Sequence, residues 1–129
     1  MRTLACLALF AATPATAQDL FFQSPSGNIG CIMFETGGVR CDMASGTPTY
    51  SRPADCDLDF GLSFYVGPTG SGEPICVGDT ALEPRADVLQ YGFEVEFGGV
   101  LCDSAESGIT CVNRQGGGFT IRRAQQAVF

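Results

Sequence analysis

The sequence predicts a small all-β domain, namely a disulfide-stabilised antiparallel barrel or sandwich of about seven or eight short strands. Three observations support this fold class. Short β-prone runs alternate with turn signals, the 129 residues include 17 Gly and 7 Pro, and 7 Cys are present. A chain of this length is sufficient for a single domain.

Residues 1–17 have the pattern of a signal peptide. Arg2 supplies the positive start, an apolar run follows from Leu4 to Ala12, and Ala15-Thr16-Ala17 is a small-residue cleavage site. The apolar run is much shorter than the roughly 20 residues that a membrane span needs. We therefore expect residues 18–129 to form one exported domain, periplasmic or secreted, with no membrane span.

Removal of residues 1–17 takes away Cys6 and leaves an even number of cysteines. An even count in a small exported domain is typical of a disulfide framework. The chain contains no C-x-x-C pair, so a metal site built from thiolates is the weaker alternative. The cysteines that remain are Cys31, Cys41, Cys56, Cys76, Cys102 and Cys111.

Four of these cysteines end segments of one form, in which a turn-type residue is followed by a β-branched residue, any residue and Cys. On a strand, the β-branched residue and the Cys lie on the same face because they are two positions apart. The segments form two close pairs, and each pair encloses a Gly-containing loop that indicates a β-hairpin. They are Asn28-Ile29-Gly30-Cys31, Gly38-Val39-Arg40-Cys41, Gly99-Val100-Leu101-Cys102 and Gly108-Ile109-Thr110-Cys111.

Cysteines that face each other across a hairpin lie near the separation that a disulfide requires. The pattern therefore favours the pairs Cys31–Cys41 and Cys102–Cys111, which leaves Cys56–Cys76 to close a larger loop.

Further strands are predicted from alternating or β-prone runs at 57–60, 62–66, 75–77, 93–97 and 119–122. Only Asp79–Tyr91 has a pattern compatible with a helix, and Pro84 limits that helix to about one turn. The predicted core consists of apolar residues on these runs. It comprises Phe22, Ile29, Met33, Val39, Phe60, Phe64, Leu89, Phe93, Val95, Phe97, Val100, Ile109, Phe119 and Ile121.

The composition excludes several classes of function. The chain has no His and all of its seven basic residues are Arg, so it lacks Ser-His-Asp and Cys-His pairs, a Schiff-base lysine and a P-loop lysine. A net charge of −7 argues against nucleic-acid binding, which depends on cations that neutralise phosphates. We expect no cofactor.

A carboxylate cluster is the sharpest candidate for a metal site. Asp55, Asp57 and Asp59 occupy alternate positions and would share one face of a strand, where carboxylate oxygens could bind Ca²⁺. The EF-hand template fails because Phe60 and Val66 stand where it requires Gly and Glu. The preferred interpretation is that the acids are solvated while Cys56 and Leu58, with Phe60, face the interior.

Three other features have a structural and a functional interpretation. Gly116-Gly117-Gly118 could hold an anion with its amides, but a tight turn is preferred because the chain has no lysine there. Glu94 and Glu96 could form a glycosidase pair, although acids on an exposed strand face are common. Arg122 and Arg123 could bind an acidic partner, but we expect them to protect an edge strand from pairing with another chain.

Several sequence strings together resemble a known family. An F-x-S-P-S-G-N-I-x-C motif opens the mature chain at Phe22–Cys31, and it is followed by Arg40-Cys41-Asp42 and Asp79-Thr80. Similar strings continue through Leu89–Gly92 to 108–123. Over about residues 21 to 129 the chain resembles small exported cysteine-containing bacterial domains of unassigned function. The resemblance implies a disulfide-bonded β domain, sometimes attached to larger envelope proteins, and it implies no catalytic residue.

The leading hypothesis is a non-enzymatic exported domain that binds a partner or associates with the cell envelope. Its charge favours encounter with a cationic protein, and the loop Gly67–Glu73 is the expected contact surface because function concentrates on loops. One alternative is an inhibitor of a basic secreted hydrolase such as lysozyme. A further alternative is a hydrolase that uses carboxylates.

Overall fold

The computed structural model describes residues 8–12 and 18–129. Within these ranges the chain contains strands but no helix, so no helix there could cross a membrane. The predicted signal peptide falls largely on residues 1–7 and 13–17, which lie outside the described part. The strands are β1 (Leu20–Gln23), β2 (Ile29–Met33), β3 (Val39–Met43), β4 (Ser63–Val66), β5 (Glu73–Pro74), β6 (Asp87–Val88), β7 (Glu94–Phe97), β8 (Val100–Ala105), β9 (Gly108–Asn113), β10 (Gly118–Ile121) and β11 (Gln126–Val128).

The strands form two sheets that pack as a sandwich. The first sheet has six strands in the order β5-β4-β3-β2-β1-β6, and the second has five in the order β11-β10-β9-β8-β7. All neighbours are antiparallel except β1 and β6. The prediction of an all-β domain is confirmed, and of its two variants the molecule adopts the sandwich rather than the closed barrel.

The core lies between the two sheets and contains sulfur at its centre. Cys31 pairs directly with Cys41 across β2 and β3, and Cys102 pairs directly with Cys111 across β8 and β9. All four are fully buried. The Sγ atoms of Cys41 and Cys111 lie 4.0 Å apart, so the two disulfides meet across the sandwich.

Aromatic and β-branched side chains surround this sulfur contact. The rings of Phe64 on β4 and Phe119 on β10 have centroids 6.1 Å apart and join the same two sheets. The β-branched residue of each cysteine segment is also buried, which confirms that it shares the inner face with its cysteine. These residues are Ile29, Val39, Val100 and Ile109.

Three disulfides link the cysteines in the pairs that the sequence pattern favours. Cys31–Cys41 and Cys102–Cys111 each close one hairpin. Cys56–Cys76 joins the segment before β4 to the segment after β5, with 5.8 Å between the Cα atoms. Each disulfide therefore connects positions that belong to only one of the two sheets or its flanking segments.

The hairpin of β7 and β8 turns at two glycines. Gly98 and Gly99 both have positive φ angles, 60° and 79°, as a two-residue hairpin turn requires. A Cβ on Gly98 would also collide with the carbonyl oxygen of Phe34, because this turn packs against the turn between β2 and β3.

Several local predictions were wrong. Residues 57–60 and 75–77 form only one isolated bridge, between Asp59 and Val77. Residues 18–129 contain eleven strands rather than about seven or eight. The missed strands are mostly short ones at sheet edges, where two or three residues give no periodic pattern. Among the apolar residues predicted to be buried in these segments and on β7, Leu58 and Phe93 are instead 52% and 65% exposed.

The helical turn that the sequence allows within Asp79–Tyr91 does not form, and the segment contains a hydrogen-bonded turn at 83–86 and the short strand β6. The physical reason is that side chains of the first sheet take the hydrogen bonds that a helix would make for itself. The amide of Ala81, for example, donates to the carboxylate of Asp42 at 2.7 Å.

Candidate functional site

Asp42 is the one buried acidic residue within residues 18–129, with 4% exposure. Arg40 and Asp42 flank Cys41 on β3, so both side chains point away from the core to the outer face of the first sheet. Arg40 donates to both carboxylate oxygens of Asp42, from Nε to Oδ1 at 3.0 Å and from Nη2 to Oδ2 at 2.8 Å. This bidentate pair compensates for the burial of the two charges.

Residues 76–86 cross the outer face of the first sheet and cover Asp42; we call this segment the strap. Arg40 Nη1 donates to Asp79 Oδ1 at 2.8 Å, and Ala81 of the strap is buried against Asp42. The pair Arg40–Asp42 is therefore the point to which the strap is attached.

The strap is fixed at a second point by β1 and β2. Gln23 Nε2 donates to the carbonyl oxygens of Pro84 at 3.0 Å and Ala86 at 2.8 Å. A Cβ on Gly30 would lie 2.8 Å from the Cα of Leu82, so only glycine permits this close approach. Gln23 and Gly30 stand at the two x positions within the opening motif, and here they serve to hold the strap.

The ion-pair network shifts the pKa values of Arg40 and Asp79. The hydrogen bond to Asp42 is the main cause of a raised pKa of Arg40, and the hydrogen bond from Arg40 lowers the pKa of Asp79. The pKa of Asp79 is lower in the fold than in the unfolded chain. Its ion pair with Arg40 therefore stabilises the fold at pH values above the usual pKa range of aspartate. That stabilisation is lost as the pH falls through the lowered pKa.

A cleft of about 270 Å³ lies beside the strap. Its opposite wall is the segment before β4, where Arg52 Nη1 donates to the carbonyl oxygen of Leu58 at 2.5 Å. The Cys56–Cys76 disulfide joins this segment to the start of the strap. The lining residues are Asp42, Met43, Arg52, Asp59, Phe60, Leu62, Ser63, Val77, Asp79 and Thr80.

The structure does not bring Asp55, Asp57 and Asp59 together as a cation site. All three are exposed, and no group of three acidic, Cys or His residues within 8–12 and 18–129 is arranged to hold a metal ion. The segment is not a regular strand, so its side chains do not alternate over a common face. Only Asp59 reaches the cleft.

Gly116-Gly117-Gly118 forms a turn whose amides are all occupied. Their N–H groups donate to the Asn113 carbonyl at 3.1 Å, the Asn113 side chain at 3.0 Å and the Phe129 carbonyl at 2.8 Å, respectively. Because none of these donors is directed at solvent, the turn has no amide with which to hold a phosphate.

The loop Gly67–Glu73 is anchored to the second sheet. Asn113 Nδ2 donates to the carbonyl oxygens of Gly67 at 3.1 Å and Gly70 at 2.8 Å, and the Gly72 amide donates to Phe129 at 2.8 Å. The loop thereby closes one side of the sandwich, between β5 and β11. Its role as a contact surface stays a prediction.

The assignment of Arg122 and Arg123 to an edge strand was wrong. They lie in the turn between β10 and β11, where the Arg122 amide donates to the Gln125 carbonyl at 3.0 Å. β10 is an inner strand and β11 forms the edge. Both arginines are exposed, and the C-terminal strand β11 was not apparent from its short sequence.

On the side away from the loop Gly67–Glu73, the second sheet ends in the strand β7, whose outer face is acidic. Glu94 and Glu96 are exposed on this face, and Glu94 stands directly opposite Asp103 of β8. Like charges at paired positions destabilise a sheet. Arg114 Nη2 lies 3.5 Å from Glu96 Oε1, and this ion pair offsets only part of the negative charge.

An apolar groove of about 150 Å³ separates this edge from the first sheet. Val95 of β7 lies on one side and Leu20 and Phe22 of β1 lie on the other. Two exposed apolar residues, Phe21 and Val88, extend the groove towards solvent. The lining residues are Leu20, Phe21, Phe22, Asp87, Val88, Leu89 and Val95.

Neither the ion-pair network nor this groove is predicted from the sequence. Arg40-Cys41-Asp42 and Asp79-Thr80 stood out as strings, and the alternation of Arg and Asp around a buried Cys is the signal that places both charges on one outer face. No comparable signal exists for the groove, because β1, β6 and β7 are brought together only by the tertiary fold.

The geometry defines a disulfide-stapled β-sandwich with a strap over one sheet and an acidic open edge on the other. The chain belongs to a family of unknown function (DUF6636), whose model matches residues 3–129. This match confirms the expected membership of a family without an assigned function. Neither the curated proteins nor the solved structures give a significant match.

Proposed function

We propose that the chain is an exported, non-enzymatic domain that binds a cationic partner protein through the acidic face of β7 and β8. The observation that carries this proposal is the distribution of charge. Every acidic residue except Asp42 is exposed, whereas Arg40 and Arg114 are engaged in ion pairs. The surface thus presents a large excess of negative charge, which attracts cations over several ångströms at physiological salt.

The absence of catalysis is supported by the side chains themselves. The chain has neither His nor Lys, and the six cysteines of residues 18–129 form disulfides. Nucleophiles that depend on His, on Lys or on a free thiol are therefore lacking in residues 18–129. Glu94 and Glu96 are exposed on the outer face of an edge strand, which suits a protein surface better than a small substrate.

Export is supported by the disulfides, because such bonds persist in oxidising compartments. We expect the polypeptide produced with its own leader to be recovered from the periplasm or the medium, beginning at Gln18. Cell fractionation and N-terminal sequencing provide the measurement. Recovery of the protein in the cytoplasm with Met1 in place and reduced cysteines would contradict the proposed export.

Binding is tested with lysozyme as a basic protein probe. We expect the oxidised protein to bind it at low salt, with affinity falling on the order of tenfold or more at physiological salt as charges are screened. Calorimetry measures the affinity, and lysozyme with succinylated lysines is the control for charge. The absence of binding at low salt would overturn the proposal.

Paired variants locate the surface. Glu94→Gln/Glu96→Gln and Asp55→Asn/Asp57→Asn each remove two exposed charges, so their effects on net charge are equal. We expect the first to weaken binding several-fold and the second to have a much smaller effect. Equal losses would show that net charge alone, and not the face of β7 and β8, attracts the probe.

A further inference from the structure

The strand β7 has a partner on one side only. It ends the second sheet, and within residues 18–129 no strand lies along its other side. An edge of this kind exposes a row of backbone donors and acceptors that can pair with another extended segment.

The backbone groups that face outwards belong to Glu94 and Glu96. The Phe93 carbonyl accepts a hydrogen bond from the Ser104 amide of β8 at 3.0 Å, so the backbone of Phe93 is directed at β8. Direction alternates along an antiparallel strand, so Val95 is also directed at β8. The amides and carbonyls of Glu94 and Glu96 consequently point away from β8, to the open side.

The apolar groove lies directly beside these groups. Val95 forms part of its wall, and its volume of about 150 Å³ resembles cavities that accept a benzene-sized group. A strand added to β7 would place alternate side chains into the groove and the others beside Glu94 and Glu96. The first set must be apolar, and the second set must be basic to meet the charge of this face.

We propose that the cationic partner is recognised by strand addition, in which an extended segment with alternating apolar and basic side chains pairs with Glu94–Phe97. This inference rests on the proposed function and names the form of its partner. The surrounding carboxylates of Glu94, Glu96 and Asp103 argue against a second copy of this acidic chain, since it would bring like charges together.

The test compares two variants that lose the same charge. Glu96→Gln removes the carboxylate, and Glu96→Pro removes the carboxylate and the outward amide, which β8 does not use. Proline is tolerated on an edge strand when its nitrogen faces solvent. The probe is a ten-residue peptide of alternating Val and Arg, and a peptide with five Val followed by five Arg is its control.

We expect the alternating peptide to bind more tightly than the block peptide. Glu96→Pro should bind the alternating peptide about tenfold more weakly than Glu96→Gln does. The proline removes the N–H donor of residue 96 and alters the backbone geometry beside it, and strand pairing needs both. In the unaltered protein, peptide binding should slow hydrogen exchange at the amides of Glu94 and Glu96. This second measurement is independent of how well the proline variant folds.

The outcomes separate this inference from the proposed function. If both peptides bind equally, with salt dependence and without protection of the two amides, the charge proposal stands and strand addition is overturned. If neither peptide binds at low salt, the binding of cationic partners fails as well. A dimer of the protein that Glu96→Pro abolishes would assign the edge to self-association and overturn the inference.

Discussion

The Cys31→Ala/Cys41→Ala variant is expected to lose about 4 kcal/mol of unfolding free energy. A disulfide that closes a loop of this length contributes roughly 3 kcal/mol through the entropy of the unfolded chain. The loss of two fully buried sulfur atoms, one of which contacts Cys111, adds roughly 1 kcal/mol or more in packing. Urea unfolding of the oxidised proteins, followed by circular dichroism, measures the difference.

Cys56→Ala/Cys76→Ala is the matched control. Its sequence separation is 20 rather than 10, which raises the entropic contribution by roughly 0.6 kcal/mol. Cys76 is exposed, however, so little core packing is lost and we expect a total of about 3.6 kcal/mol, almost all of it entropic. A larger loss at this disulfide than at Cys31–Cys41 would show that loop closure outweighs the sulfur contact in the core.

Replacement of Asp42 by asparagine is expected to lower the free energy of unfolding by about 2 to 3 kcal/mol. The change leaves the largely buried Arg40 guanidinium with only Asp79 as an acidic partner, and breaking a buried pair typically costs several kcal/mol. It also weakens the acceptor for the Ala81 amide. Thermal unfolding measures the loss, and limited proteolysis within residues 76–86 measures release of the strap.

Asp79→Asn provides the comparison, since it removes the other carboxylate that Arg40 contacts. The Asp79 side chain is 81% exposed, so solvent screens its interaction and we expect little change in stability. If the two variants were equally destabilised, the strap would depend on the surface pair and not on the buried one.

The hairpins could be predicted because the information for them is local. In each cysteine segment, four consecutive residues set the turn, the face and the position of the sulfur. The strand pairing within residues 29–41 and within residues 100–111 can therefore be predicted without knowledge of any long-range contact. The same applies to the acidic alternation of Glu94 and Glu96, which identifies an exposed strand face.

The strap and the groove could not be predicted because their causes are distant in sequence. Asp42 is buried by Ala81, and Gly30 is required by Leu82. The groove arises where the neighbouring strands β1 and β6 of the first sheet face β7 of the second without pairing with it. The local pattern of residues 79–91 is compatible with a helical turn, but the partners that hold this segment in a different conformation lie on β1, β2 and β3.

The placement of the disulfides has a consequence for the integrity of the molecule. The first sheet is built from residues 20–88 and the second from residues 94–128, and no disulfide crosses from one stretch to the other. A single proteolytic nick between Leu89 and Phe93 would yield two fragments, each internally cross-linked, that adhere only through non-covalent contacts. The chain is in this respect a natural candidate for split-protein complementation, with Gly92 as the place to divide it.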